Sequence, residues 1–160
     1  MRVNVSGIYV PFLGEGYIPS TSLPVERPFD MAHEMAHALG FTGEDDCNFL
    51  SLLACIESGL PAVVYSGYFN YWLYVSRELR RASPKVYRDL WQGLSEEMRL
   101  DIKAVVESWN RFRGPLREMG RRVQNEYLRS QGIREGILSY DRMVMLVAAW
   151  RLKNSPPGYP

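Results

Sequence analysis

The sequence predicts a mainly α fold (α+β), with one short β element near its start. Three observations lead there. From residue 28 to 154, apolar residues recur at helical spacing in segments divided by glycine, proline and acidic starts. The stretch 3–12, VNVSGIYVPF, is instead rich in β-branched and aromatic residues. The third is bulk composition: 160 residues with 46% hydrophobic and 23% charged content match one ordinary globular domain with a real core. Residues 1–154 are read as that single domain and 155–160 as an irregular tail.

Taken in order, residues 3–12 form a strand ending at Pro11, and the proline suits a sheet edge. Gly14-Glu15-Gly16 and Pro19-Ser20 mark a turn, and the loop continues through Pro24. A first helix starts near Pro28 to Asp30 and stops at Gly40, a natural C-terminal residue. Glu44-Asp45-Asp46 open a second, because acids favour the positive end of the helix dipole; it ends at Gly59-Leu60-Pro61. An aromatic helix covers Tyr65 to about Ala82, its rings read as core packing or as the wall of a cleft. A short helix follows at Lys85–Trp91 and a longer one from Ser95 to about Arg113, broken or kinked by Gly114-Pro115. Leu116–Ser130 is basic and amphipathic, with Arg117, Arg121 and Arg122 beside Arg113 as a solvated face. Gly132–Gly136 is a loop, and a last apolar helix begins at Ser139. No internal repeat is visible.

Several function classes fall away. A net charge of +1 argues for no nucleic-acid partner. No apolar run reaches the roughly 18–20 residues of a membrane span, and the N-terminus lacks the apolar core of a signal peptide. The chain reads as soluble and untargeted, its compartment open. Cys47 and Cys55 share a helix with about 12 Å of rise between them, too far for a disulfide.

The chemistry-bearing stretch is MAHEMAHALGFTGEDDCNF, Met31 to Phe49. His33 and His37, the chain's two histidines, stand at i and i+4 on one helix face with Glu34 beside the first. Two imidazoles so placed can share one Zn²⁺, and the adjacent glutamate can reach a metal-bound water. Catalytic zinc normally has three protein ligands and an open position. The third is sought among Glu44, Asp45 and Asp46, which a tight turn at Gly40–Gly43 can bring back to the histidines. Glu44 is the first choice, Asp46 the alternative and Asp45 the third. Fe²⁺ would also suit two imidazoles and a carboxylate.

Glu44 and Asn48 share a helix face, and their spacing resembles the E-x-x-x-D helix of the gluzincin metallopeptidases. That resemblance implies Glu44 as ligand and Asn48 as the residue that orients a histidine through its side-chain oxygen. By the same analogy, Glu34 is the general base that deprotonates the water for attack on a carbonyl. A further donor to the oxyanion is sought in Tyr65, Tyr68, Tyr140 or Arg142. The β segment Gly7, Ile8, Tyr9 and Val10 is the candidate edge strand for an extended peptide substrate.

The chain resembles the bacterial family called domain of unknown function 3810. The residues that carry this are G-I-Y-V-P-F-x-G-E from Gly7 to Glu15, H-E-M-A-H-x-x-G-F from His33 to Phe41, and E-D-D-C-N-F from Glu44 to Phe49. Y-S-G-Y from Tyr65 to Tyr68, R-G-P from Arg113 to Pro115, and S-Y-x-R-M-V from Ser139 to Val144 extend it over nearly the whole chain. It implies a zincin-like metallopeptidase domain: a hydrolase with one zinc per chain acting on a peptide or protein. Where the family tends to read E-D-E-A-N, this chain has Asp46 and Cys47, which favours Glu44 over Asp46. Family members commonly carry transmembrane helices ahead of this region, which implies the soluble domain of a membrane-associated bacterial protein. Two other readings stand beside the peptidase. In one, a structural metal draws a fourth ligand from Asp45, Asp46 or Cys47. In the other, the aromatic stretch Tyr65–Tyr74 is the surface of a helical interaction module.

Overall fold

The computed structural model describes residues 7–10, 12–111 and 142–154. These residues form β1 (Ile8–Val10), β2 (Glu15–Tyr17), α1 (Arg27–Ala38), α2 (Glu44–Glu57), α3 (Pro61–Ala82), α4 (Pro84–Gly93), α5 (Glu96–Arg111) and α6 (Arg142–Asn154). The mainly helical reading therefore holds, with a small two-stranded sheet at the start. The beginning of the expected strand, the Gly114-Pro115 break, the basic segment 116–130, the loop 132–136, Tyr140 and the tail lie outside the described residues.

The β element is a hairpin. Ile8 pairs with Tyr17, Tyr9 with Gly16 and Val10 with Glu15, antiparallel. The residues Glu15 and Gly16, expected in a turn, are thus strand. Their pairing is not written in their composition, since glycine and glutamate favour strands poorly. It comes from the turn, where the Leu13 and Gly14 amides both donate to the Val10 carbonyl at 3.0 Å, and from packing of both strands on α1.

α1 begins with Pro28 in its first turn, where a missing N–H costs nothing. It ends in a Schellman motif: the Phe41 amide donates to the Ala36 carbonyl at 3.2 Å and the Gly40 amide to the His37 carbonyl at 3.0 Å. Gly40 takes φ 95°, a left-handed conformation that glycine adopts without steric cost. That turn returns the chain so that α2 packs on α1. α3 starts at Pro61, four residues ahead of the expected Tyr65, because the proline is itself the first helical residue.

Two clusters form the core. Phe29, Leu52, Cys55, Met143 and Val147 join α1, α2 and α6, with Tyr71 and Tyr74 of α3 packed against them. Phe69, Ile102 and Val105 join α3 to α5, with Trp72, Leu73 and Trp91 around them. α3 contributes to both clusters, so most of its aromatic stretch is core. The buried Ser66 hydroxyl ties α3 to the start of α1: it donates to the Val25 carbonyl at 2.6 Å and accepts the Phe29 amide at 3.2 Å. It thereby satisfies a first-turn amide that has no partner within its own helix. Cys47 and Cys55 are both buried and free. Among the described residues, no helix is long and apolar enough to cross a membrane.

Candidate metal centre

The sequence places His33 and His37 on one face of α1, and the Gly40 turn brings the first residue of α2, Glu44, against them. The two Nε2 atoms stand 3.1 Å apart. Glu44 Oε2 lies 3.2 Å from His33 Nε2, and Glu44 Oε1 lies 3.8 Å from His37 Nε2. One ligand atom from each of the three residues falls within 4.8 Å of the others. Tetrahedral zinc, with bonds near 2.0–2.1 Å, holds its ligand atoms about 3.3 Å apart. The donor set and its spacing therefore fit one zinc ion. Two ring nitrogens facing each other at 3.1 Å also call for a cation or a proton between them, since bare lone pairs repel.

Charge follows the same geometry. Burial alone would lower the proton affinity of His33, which is 9% exposed. The hydrogen bond and charge of Glu44, with Glu34 and Asn48, outweigh it and raise the pKa. Burial pushes Glu44 up, but its bond to His33 and the two imidazoles bring it below the usual carboxylate range.

Each imidazole is held from its far side. His37 Nδ1 meets the Phe41 carbonyl at 2.8 Å, a bond that fixes Nδ1 as the protonated nitrogen and leaves Nε2 free to ligate. Cys47 Sγ sits 3.4 Å from that same Nδ1, on the side of the ring away from Glu44 and His33. Behind His33 stands Asn48, 2% exposed, whose side-chain hydrogen bond favours the protonated ring. Asn48 Oδ1 also accepts the Tyr74 hydroxyl at 3.2 Å.

Glu34 is buried beneath the hairpin, at 6% exposure. Burial pushes its carboxyl above the usual range, opposed by His33, His37 and a backbone hydrogen bond from Tyr9. β1 passes so close that a Cβ on Gly7 would lie 2.3 Å from Glu34 Oε1. β1 pairs with β2 along one edge, and the sheet has only these two strands among the described residues.

Other candidates lie elsewhere. The Asp46 carboxylate folds back on Gly43, where an added Cβ would meet Oδ2 at 2.6 Å, so it points away from the three-residue cluster. Asp45 is buried and turned toward α6, with Arg142 Nε 3.9 Å from its Oδ2. None of Asp45, Asp46 and Cys47 joins the cluster as a fourth ligand. The Tyr65 hydroxyl donates to Asp101 Oδ2 at 2.8 Å, on α5. Tyr68 is exposed on α3, and Arg142 is committed to Asp45. Sequence reasoning passed over Tyr74 and the Phe41 carbonyl. The H-x-x-G-F ending carried a signal for the second, since glycine four residues before the next helix start sets up the turn that delivers it. Nothing local to Tyr74 marks it.

The family model described as "Protein of unknown function (DUF3810)" matches residues 1–148. No curated protein and no solved structure matches the chain. With that model spanning the hairpin, the candidate metal centre and the start of α6, the chain belongs to the DUF3810 family.

Proposed function

We propose that this chain is a zinc-dependent peptidase with a zincin-like, gluzincin-type centre. The observation that carries the reading is the convergence of His33, His37 and Glu44 within 4.8 Å, with the buried Glu34 adjoining. His33, His37 and Glu44 would hold one zinc per chain. A zinc ion there supplies Lewis acidity and lowers the pKa of a coordinated water. Glu34 takes up a proton at its carboxylate, whose proton affinity burial raises above the ordinary glutamate value. The Tyr9 amide and the close backbone at Gly7 restrict where that carboxylate can sit. Among the described residues β2 is the one strand paired with β1, and the other edge of β1 would take an extended peptide substrate as an added strand.

The test is hydrolysis of a mixed set of quenched fluorescent peptides by the zinc-loaded chain. Activity is expected to vanish with a chelator and return with zinc. Glu34→Gln is expected to keep zinc and lose the rate by roughly 10²–10⁴-fold. A Glu34→Gln variant as active as the wild type, or a chain that takes up no zinc, refutes the reading.

A further inference from the structure

We infer that Cys47 is a positioning residue of this centre: its thiol holds the Phe41 carbonyl against His37 Nδ1, so that Nε2 is the nitrogen left for the metal. The inference rests on the zinc reading above. Three atoms close a triangle. His37 Nδ1 lies 2.8 Å from the Phe41 oxygen, Cys47 Sγ lies 3.4 Å from the same oxygen, and 3.4 Å separates the sulfur from Nδ1. Each corner comes from a different piece of chain: the last turn of α1, the turn after it, and the first turn of α2.

The carbonyl gives the triangle its direction. It has no proton, so it accepts in both contacts, from the imidazole N–H and from the thiol S–H. With the ring's proton on Nε2 instead, a bare Nδ1 would face the oxygen lone pairs at 2.8 Å, and the nitrogen turned to the metal would be blocked. The choice therefore depends on the oxygen staying where it is. The Phe41 amide is tied to the Ala36 carbonyl at 3.2 Å, and the thiol ties the oxygen end of the same residue. Cys47 is 0% exposed, so water does not replace it as donor. Glu44 and Cys47 stand three residues apart on one face of α2. Glu44 Oε1 lies 3.8 Å from His37 Nε2 and Cys47 Sγ meets Nδ1, so one helix flanks the ring at both nitrogens.

The test compares zinc affinity in the wild type, Cys47→Ala and Cys47→Ser, read by competition with a chromophoric chelator. The metal-free thermal midpoint of each is the folding control. Cys47→Ala is expected to weaken zinc binding by roughly 3- to 10-fold, at or below the low end of outer-layer effects because a thiol is a weak donor. Cys47→Ser keeps a donor and is expected to return to within about twofold of the wild type. Equal losses in both variants mean that Cys47 acts through packing, and overturn the inference, as does no loss in Cys47→Ala. A second readout needs no metal. The chain has two histidines, so imidazole ¹⁵N spectra of ¹⁵N-histidine protein at about pH 9, where both rings are neutral, assign the proton of each. His37 is expected as the Nδ1–H form in the wild type and to shift toward Nε2–H in Cys47→Ala. An unshifted His37 overturns the inference. The wild type alone carries a third arm: donation to a carbonyl lowers the infrared S–H stretch, and two thiol bands both at the free-thiol position overturn the inference even where no variant folds. A wild type that binds no zinc refutes the peptidase reading instead, and the ¹⁵N and infrared spectra still decide the role of Cys47.

Discussion

Zinc added to the metal-free chain is expected to raise its thermal unfolding midpoint, and Glu44→Ala to remove the rise. The size follows from the centre's geometry. The two ring nitrogens stand 3.1 Å apart, and Glu44 meets His33 through Oε2 at 3.2 Å and His37 through Oε1 at 3.8 Å. A tetrahedral zinc needs about 3.3 Å between ligand atoms, so the imidazole pair is already near that spacing and rotation of the Glu44 carboxylate would complete the set. The ligands already sit on packed helices, and binding requires little reorganisation. In the unfolded chain the same three residues lie on a flexible segment with far weaker affinity. Zinc at 100 times its dissociation constant then adds about 2.7 kcal/mol to folding stability. For a chain of this length that is a rise of roughly 5–11 °C. The metal-free reference holds its own ion pair between His33 and Glu44, which Glu44→Ala deletes as well. The quantity to compare is therefore the zinc-induced increment, not the absolute midpoint. Differential scanning fluorimetry across a zinc titration, reversed by chelator, reads it directly. A full increment in Glu44→Ala refutes Glu44 as a ligand. No increment in the wild type at saturating zinc refutes the three-residue site.

Three other perturbations test separate parts of the structure. Gly7→Ala sets a Cβ 2.3 Å from Glu34 Oε1, so either the hairpin or the carboxylate must shift. Peptide hydrolysis is expected to fall at least tenfold with zinc content unchanged, and full activity would remove the hairpin from the control of Glu34. Gly40→Ala forces an L-residue to φ 95° and is expected to cost about 1 kcal/mol by urea unfolding. An unchanged urea midpoint would show that the turn relaxes without loss. Asp30 is buried, chiefly for which its pKa rises from 3.8 to about 7 despite the Ser22 hydroxyl bond. A raised folded-state pKa means a stability contribution fully present below about pH 3.8 and lost as pH rises through 7. The stability gap between Asp30→Asn and the wild type is thus expected to widen in favour of the variant from pH 4 to pH 7. It reaches on the order of 1–3 kcal/mol in denaturant titrations, and a flat gap refutes the burial argument.

Much of the helical framework was legible because its signals are local. Pro28 and Pro61 fix φ for a first turn, Gly40 ends α1, and the acids at 44–46 open α2. Those same signals carried the centre: the helix puts His33 over His37, and a four-residue glycine-bounded turn can only return α2 close to where α1 ended. β2 escaped notice because Glu15-Gly16-Tyr17 is exposed throughout and shows no alternation. Its pairing depends on β1 and on α1, neither visible in three residues. Asp46 and Glu44 were equally good acids by type. Their separation came from direction, since Glu44 faces the histidines and Asp46 folds back to Gly43.

The sequence by itself determined the helices, their caps and the pairing of two imidazoles on one face, because each depends on residues within about one helical turn of one another. Only the tertiary structure decided what stands behind and above that pair. Tyr74 reaches Asn48 from 26 residues away, Phe41 aims a backbone oxygen that no side-chain pattern encodes, and β1 lies over Glu34 from the start of the chain. Those contacts depend on how helices and hairpin pack, and packing is set by the whole core at once rather than by any local run of residues.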